Sequence, residues 1–288
     1  MKRYSHQDIA DYYEQTEVHY RMWWNLEESL GLPYGVWDEN TSSLPDAVIN
    51  LNKLLCQLGD IKPKAQVLDA GCGVGGSSFY LAEKRSCITI GVTLSQKQVD
   101  NATQTAVKKG LTEECKFIKC SYTDMPFKDE TFDASWTIES LGSANNEEAF
   151  FAEMHRILKP KGKILIADTF KSYTYPIEDN ALMQEMLNPW AISDILSKDE
   201  LIGLAEDHGF KLINTQDVTH QIKKSVNKMY LAAIIGMIGT KLYNMFWNAS
   251  RFSKIHYKSG IAQKKTYEKG DWNYILFLFQ EQEASRTH

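Results

Sequence analysis

Residues 67–78 read Val-Leu-Asp-Ala-Gly-Cys-Gly-Val-Gly-Gly-Ser-Ser. The stretch opens as a short apolar strand, turns through Gly71, Gly73 and Gly76, and enters helical sequence at Ser77. Glycines at this spacing permit positive φ and let a ligand approach the backbone closely, which suits any nucleotide-derived ligand between a strand and a helix. The literal G-x-G-x-x-G pattern is also that of a nicotinamide dinucleotide site. Asp69 discriminates between the two. It stands at the carboxyl end of the strand, where its charge repels a pyrophosphate and attracts an ammonium or sulfonium group.

On either side of this loop the chain alternates between two periods. Strands are read at 66–70, 88–93, 116–120, 132–138 and 163–168, and helices at 77–84, 96–109 and 145–158. Lys159-Pro160-Lys161-Gly162 reads as the turn that closes the last helix. Alternating units of this length predict a parallel sheet covered on both faces, a Rossmann-like doubly wound α/β fold. Val48, Leu51, Leu54, Leu55 and Leu58 mark one face of an earlier helix. Residues 171–196 show no clear period. A capping box, Ser197-Lys198-Asp199-Glu200, then opens a helix ending at Gly209. Two more strands are expected at 210–218 and 272–279. Between them, residues 225–247 carry Val226, Met229, Tyr230, Ala233, Ile234, Met237, Ile238, Leu242, Met245 and Phe246 at helical spacing. The expected organisation is a helical lid and first helix (1–63), a core (64–221) with a lid-like segment (171–196), a helical basic insertion (222–270), and a last strand and tail (271–288).

A chain of 288 residues, 43% of them hydrophobic and 24% charged, excludes a disordered or collagen-like polymer. Five cysteines, Cys56, Cys72, Cys87, Cys115 and Cys120, form no CxxC pair and read as reduced thiols. The polar N-terminus lacks the apolar core of a signal peptide. The longest nearly uncharged apolar run, 229–239, is about half the ~20 residues that a membrane span requires. A cytoplasmic protein is expected. The net charge of −5 conceals a basic stretch: residues 223–269 hold ten Lys or Arg against one acid, Glu268. One basic segment on an acidic body implies a local anionic partner or peripheral contact with an anionic membrane, and no nucleic acid. No metal-ligating set is read, and the oligomeric state stays open.

The order VLDAGCGVGGSS (67–78), GVTLSQKQV (91–99), DMPFKDETFDASWTIES (124–140) and HRILKPKGKILIADTF (155–170) resembles the class I S-adenosylmethionine-dependent methyltransferases. SKDELIGLAEDHGF (197–210) extends the likeness. Within that superfamily the chain is similar to the sterol, tocopherol and prenyl-diphosphate C-methyltransferase group. The carriers are GVTLS with Gln98, ASWTIES with Glu139, and TYEKGDWNYILFLF (266–279). The resemblance implies a seven-stranded, mostly parallel sheet and S-adenosyl-L-methionine as cofactor, with S-adenosyl-L-homocysteine as product. Gly71 and Gly73 should border its methionine part, with Asp69 orienting the loop. Thr93 and Leu94 should face the ribose with Gln98 near; Ser121, followed by Tyr122, should accept from the adenine amine, its other readings being a backbone contact there or a capping or turn serine, and Ile138 is a further cofactor-binding residue. Many relatives carry an acid at the position of Thr93 and an aspartate at that of Ser121.

Methyl transfer is an in-line displacement, to which orientation alone can contribute about 7–11 kcal/mol. A carbon acceptor such as an isoprenoid alkene becomes a carbocation and must then lose a proton. Aromatic rings stabilise the cation, and a buried carboxylate accepts the proton. Glu139, just beyond the fourth strand, is the expected base; its other reading is a cofactor contact or a cap. Tyr12, Tyr20, Trp23, Trp24 and Trp37 are candidates for an aromatic lid, or for core. His19 and His256 are further acid/base candidates. Tyr230 and Met237 are expected on a Met-rich, adaptable acceptor wall, whose bland reading is a core-packing helix. The lysines around it would suit an anionic head.

Two positions depart from the family. LPYGVWD (32–38) has Pro33, and ESLGS (139–143) has Ser143, where relatives carry histidine, so metal-assisted diphosphate binding does not transfer. The expected function is methyl transfer to a small hydrophobic acceptor, with C-methylation of an isoprenoid-type secondary metabolite favoured. The alternatives are N- or O-methylation of an aromatic or amine-bearing natural product, a cofactor-binding protein without catalysis, and a nicotinamide dehydrogenase.

Overall fold

The computed structural model of the protein describes residues 4–24, 26–144, 146–245 and 247–282. Three helices come first: α1 (His6–Trp24), α2 (Leu26–Ser29) and α3 (Leu44–Gly59). The alternating part follows as β1 (Gln66–Ala70), α4 (Gly76–Arg85), β2 (Ile88–Thr93), α5 (Gln96–Lys109), β3 (Cys115–Lys119), β4 (Phe132–Ile138), α6 (Glu147–Ile157) and β5 (Leu158–Lys171). Then come α7 (Ala181–Leu187), α8 (Lys198–Asp207), β6 (Phe210–Asp217), α9 (Lys223–Tyr243), α10 (His256–Lys269) and β7 (Trp272–Glu281).

The strands form one sheet in the order β3-β2-β1-β4-β5-β7-β6. The first five are mutually parallel, and β7 runs antiparallel to both neighbours. Successive side chains of β5 alternate between two cores, as a sheet covered on both faces requires. Leu165 joins Trp136 and Leu276 under Leu51 and Leu55 of α3 and Met183 and Met186 of α7. Ile164 and Ile166 join Phe277 and Phe279 under Phe150, Phe151 and Met154 of α6 and Leu201 of α8. Capping boxes start α3 at Ser43 with Asp46 and α8 at Ser197 with Glu200. All five cysteines are unpaired thiols. Among the described residues, no helix is long and apolar enough to cross a membrane.

Several boundaries differ from those expected. The helix read at 145–158 is shorter, because Asn146 caps it and accepts from the Ala149 amide; Asn145 lies outside the described residues. The Lys-Pro-Lys-Gly turn is absorbed into β5, which starts at Leu158 opposite Phe132 and takes Lys161 through φ +64° across a register shift. The third strand begins one residue earlier, at Cys115. The aperiodic segment 171–196 contains α7 and buries Ile177, Met183, Met186 and Leu187. The insertion helix ends at Tyr243; Phe246 lies outside the described residues.

The direction of winding reverses between β1 and β4, so the crevice outside their carboxyl ends is where such a sheet receives a ligand. Helix α1 and the α9–α10 insertion supply further walls at that end.

Candidate active site

The β1–α4 loop builds the floor of the crevice. Gly71 turns at φ +82°, and a Cβ there would stand 2.4 Å from the Ser140 Cβ, so β1 and β4 approach closely only with glycine at this position. Gly73 turns at φ +53° and faces open space on the crevice wall. Asp69 is buried and accepts from Ser78 Oγ at 2.7 Å, which ties the strand to the helix it precedes. Burial pushes its carboxyl up to about 6, against the two hydrogen bonds from Ser78. Helix α4 starts at Gly75 without a side-chain cap, and Gly76 and Ser77 line the crevice, so the positive end of the helix faces it.

Across the crevice stands Glu139. It follows β4 in the left-handed conformation (φ +48°), uncommon for a residue with a Cβ and of the kind that clusters at functional sites. Its Oε1 accepts from the Tyr34 amide at 2.8 Å and from the Tyr274 hydroxyl at 2.7 Å. No hydrogen bond from the described residues reaches Oε2. Burial raises this carboxyl to about 8, with neighbouring Asp168 adding to the rise and the two donors opposing it. Asp168, buried in β5, accepts from the Leu141 amide at 3.0 Å, so it holds the 140–142 turn. Burial places it at about 6. Three carboxylates thus line one crevice. That arrangement favours a cationic ligand and disfavours a pyrophosphate, while the α4 terminus offers one place for an anionic group.

Helix α1 lays aromatic residues over this floor. Tyr12 and Tyr20 line the crevice with hydroxyls 2.5 Å apart. Tyr12 also reaches His256 Nε2 at 3.3 Å, and His256 Nδ1 lies 3.0 Å from His19 Nδ1 with the rings stacked. Burial, reinforced by His19, holds His256 down to about 3, so it is neutral. Tyr13, beside Tyr12, lines the crevice together with Ser143, one of the two positions at which a histidine was expected from the family. Pro33, at the other such position, accepts from Trp24 Nε1 at 3.1 Å. Both replacements line the crevice.

The crevice encloses about 160 Å³ and brings together Asp69, Gly71, Gly73, Thr93, Leu94, Gln98, Tyr122, Ile138, Glu139, Tyr12 and Tyr20. Thr93 Oγ1 donates to Gln98 Oε1 at 2.6 Å, and the Tyr122 hydroxyl donates to the Ser140 carbonyl at 2.5 Å. Ser121 is placed elsewhere: it bonds Thr123 and bridges to Asp124, off the crevice wall. A second cavity of about 750 Å³ lies between α1 and α9 and is lined by His19, Trp23, Trp24 and His256. Tyr230 and Met237 line neither space; they sit on the other side of α9. Trp37 is likewise away from both, donating to Ser225 Oγ at 2.8 Å. Among the described residues no lysine or arginine lines either cavity. Lys224 and Lys228 lie over the rings of Trp37 and Trp24, and Arg251 pairs with Asp8. Sequence reasoning passed over Asp168, Tyr34 and Tyr274. The first two lay inside quoted motifs, and Tyr274 inside the last-strand motif, but their pairing with Glu139 or its turn is a product of tertiary contact.

A family model described as "Methyltransferase domain" matches residues 68–166. The sterol 24-C-methyltransferase erg-4 of Neurospora crassa is 33% identical over 170 residues, 57% of this chain, and the chain spans 44% of that protein's length. Methyltransferase GfsG of Streptomyces halstedii is 27% identical over 75% of this chain and 77% of its own. A geranyl diphosphate methyltransferase, solved with geranyl diphosphate and sinefungin, superposes with a TM-score of 0.76 at 20% identity, covering 96% of this chain and 98% of that one. The glycine loop, Asp69 and Glu139 lie inside the stretch that the methyltransferase-domain model matches, and over nearly its whole length the chain shares the fold of the solved geranyl diphosphate methyltransferase.

Proposed function

We propose that the protein transfers a methyl group to a carbon of an uncharged isoprenoid-type acceptor and that Glu139 takes the proton this releases. The observation that carries the reading is the Glu139 carboxyl itself. One oxygen is held by Tyr34 and Tyr274, the other is without a partner among the described residues, and the group lines the crevice with its proton affinity raised.

S-Adenosylmethionine, when bound, supplies an electrophilic methyl on a sulfonium. The residues present fit it: Asp69, Glu139 and Asp168 favour the positive sulfur, the start of α4 offers amides to a carboxylate, and the Thr93–Gln98 pair offers polar atoms to a ribose. On an alkene acceptor a C–C bond would form from the alkene's π electrons as the methyl–sulfur bond breaks, its electron pair staying on sulfur in the departing S-adenosylhomocysteine, and the neighbouring carbon would become cationic. Tyr12, Tyr13 and Tyr20 present ring electron density on that side. Glu139 then removes a proton from the adjacent carbon, restoring the double bond and becoming a carboxylic acid. A positive charge in the crevice favours the ionised base, so Glu139 becomes competent when the donor is bound. The absence of lysine and arginine from the walls among the described residues supports an acceptor without an anionic head. The relatives named for sterol and geranyl diphosphate methylation support the isoprenoid class.

The test pairs wild type with Glu139→Gln, which keeps an oxygen for both donors. Lipophilic extracts are incubated with CD3-labelled cofactor, and products are located by mass spectrometry and NMR. Turnover should fall about 10²–10⁴-fold while S-adenosylhomocysteine affinity stays within about twofold. Unchanged turnover, or a new methyl found on nitrogen or oxygen, overturns the proposal.

A further inference from the structure

The cavity between α1 and α9 is several times larger than the crevice, about 750 Å³ against 160 Å³. The two adjoin: Tyr20, Trp190 and Met229 line both. On one side stand Met22, Trp23 and Trp24 of α1, and on the other Ala232, Gly236 and Gly239 of α9.

The two glycines carry the argument. Both lie inside α9, where glycine costs about 0.5–1 kcal/mol relative to alanine. Neither has the positive φ that would call for glycine, and a Cβ on either would meet no atom within 4 Å. Gly260, on the facing helix α10, is different: a Cβ there would stand 2.7 Å from the Ala233 Cβ and 3.1 Å from the Met229 carbonyl, so close helix packing explains it. Nothing in the fold explains Gly236 and Gly239. What they preserve is depth in the groove. His19 and His256, at its inner end, face each other and the Tyr12–Tyr20 pair; burial disfavours the charged form of both, so no ionised group closes the passage.

We propose that this groove receives the apolar tail of the methyl acceptor: an elongated hydrocarbon chain that lies along α9 and passes between Tyr20, Trp190 and Met229 to present its reactive end at Glu139. The inference rests on the proposed methyl transfer and adds to it a substrate class defined by length. The α9 wall from residue 229 to 240 spans about 16 Å, so acceptors are selected by how much chain they can lay in it.

The experiment uses two uncharged fluorescent probes, N-dodecyl dansylamide and N-ethyl dansylamide, read by energy transfer from the groove tryptophans of the full chain. Wild type should bind the dodecyl probe at least tenfold more tightly than the ethyl probe. Gly236→Leu/Gly239→Leu should erase that preference while S-adenosylhomocysteine affinity, by calorimetry, stays within twofold. Gly236→Ala/Gly239→Ala, which favours the helix, shows by circular dichroism that α9 tolerates substitution. Equal affinity of wild type for the two probes, or an undiminished preference in the leucine variant, overturns the inference. So does a wild-type dimer that the leucine variant dissolves in sedimentation velocity, or vesicle binding on phosphatidylcholine that it abolishes, because the groove would then seat a second copy or a bilayer. Loss of S-adenosylhomocysteine binding by wild type itself would instead strike the methyl-transfer reading.

Discussion

At the end of β1, one added methyl group on Gly71 meets the Ser140 side chain at 2.4 Å, whereas on α9 the same addition to Gly236 meets nothing within 4 Å. The crevice and the groove share three wall residues and are nonetheless built differently. In the crevice, backbone conformation, packing and hydrogen bonds all demand the residues present: Asp69 is tied to Ser78, Asp168 to Leu141, and Glu139 to Tyr34 and Tyr274. In the groove, the chain leaves room that its own packing does not require. A site that positions a reacting sulfur must be rigid, and one that admits a greasy chain needs only shape and adaptable side chains.

Substitutions can break this comparison. The largest effect is expected at Gly71→Ala, where overpacking costs about 1–3 kcal/mol and the left-handed backbone about a further 1–2 kcal/mol, read as a lowered urea midpoint together with lost S-adenosylhomocysteine binding. A stable variant that binds normally would show that β1 and β4 can part without consequence.

Glu139→Gln comes next, and its effect on stability has a sign. The folded carboxyl, at about 8, holds its proton over a pH range in which an unfolded glutamate, near 4.5, has lost it. Wild-type stability therefore carries a contribution present below about pH 4.5 that is lost as the pH rises towards 8. The glutamine variant lacks that loss, so its melting temperature relative to wild type should climb between pH 5 and 8. A constant difference would mean that Glu139 is ionised throughout. In the wild-type rate profile the same group should appear as a limb rising through about pH 8 for free enzyme, and lower once cofactor saturates.

Tyr274→Phe removes one of two donors to Oε1. The ionised form loses a hydrogen bond, so the rising limb should move up by about one to two pH units, with a loss of rate of about ten- to a hundred-fold at neutral pH. A phenylalanine variant with an unmoved limb would reduce Tyr274 to packing. The smallest effect is expected at Gly236→Ala: a gain of about 0.5–1 kcal/mol, measured by urea unfolding. Destabilisation there would show that the fold needs this glycine after all, and the contrast between the two regions would fail.

Much of the crevice was legible because its residues are local in sequence. Strand, glycine turn and helix follow one another within residues 66–85, and Asp69 and the glycines carry their chemistry in their spacing. Thr93 with Gln98, and Glu139 at the end of β4, were readable for the same reason. Ser121 was expected at the adenine because of its place in a family motif, yet it turns aside to bond Thr123. The partners of Glu139 were not readable, since Tyr34 and Tyr274 lie 105 and 135 residues away and only the packing of β7 and the α2–α3 segment brings them in. On α9 the apolar spacing foretold a helix but not which face it presents. Apolar residues surround it, so Tyr230 and Met237 could not be told from Met229, which does reach both cavities. The basic composition of the insertion was equally ambiguous. Several of its cations lie over aromatic rings or pair with acids, and composition cannot show that.

The stacked imidazoles of His19 and His256 come from opposite ends of the chain, 237 residues apart. On the proposed reading, acceptor recognition is divided between the first helix and the late insertion, while the donor machinery occupies the stretch between. A chimera that exchanges only one of these two flanking pieces for its counterpart from another methyltransferase would bring together halves that do not match. Retargeting the protein to a new acceptor requires both ends to be transplanted as a pair, and the glycine loop can be left alone.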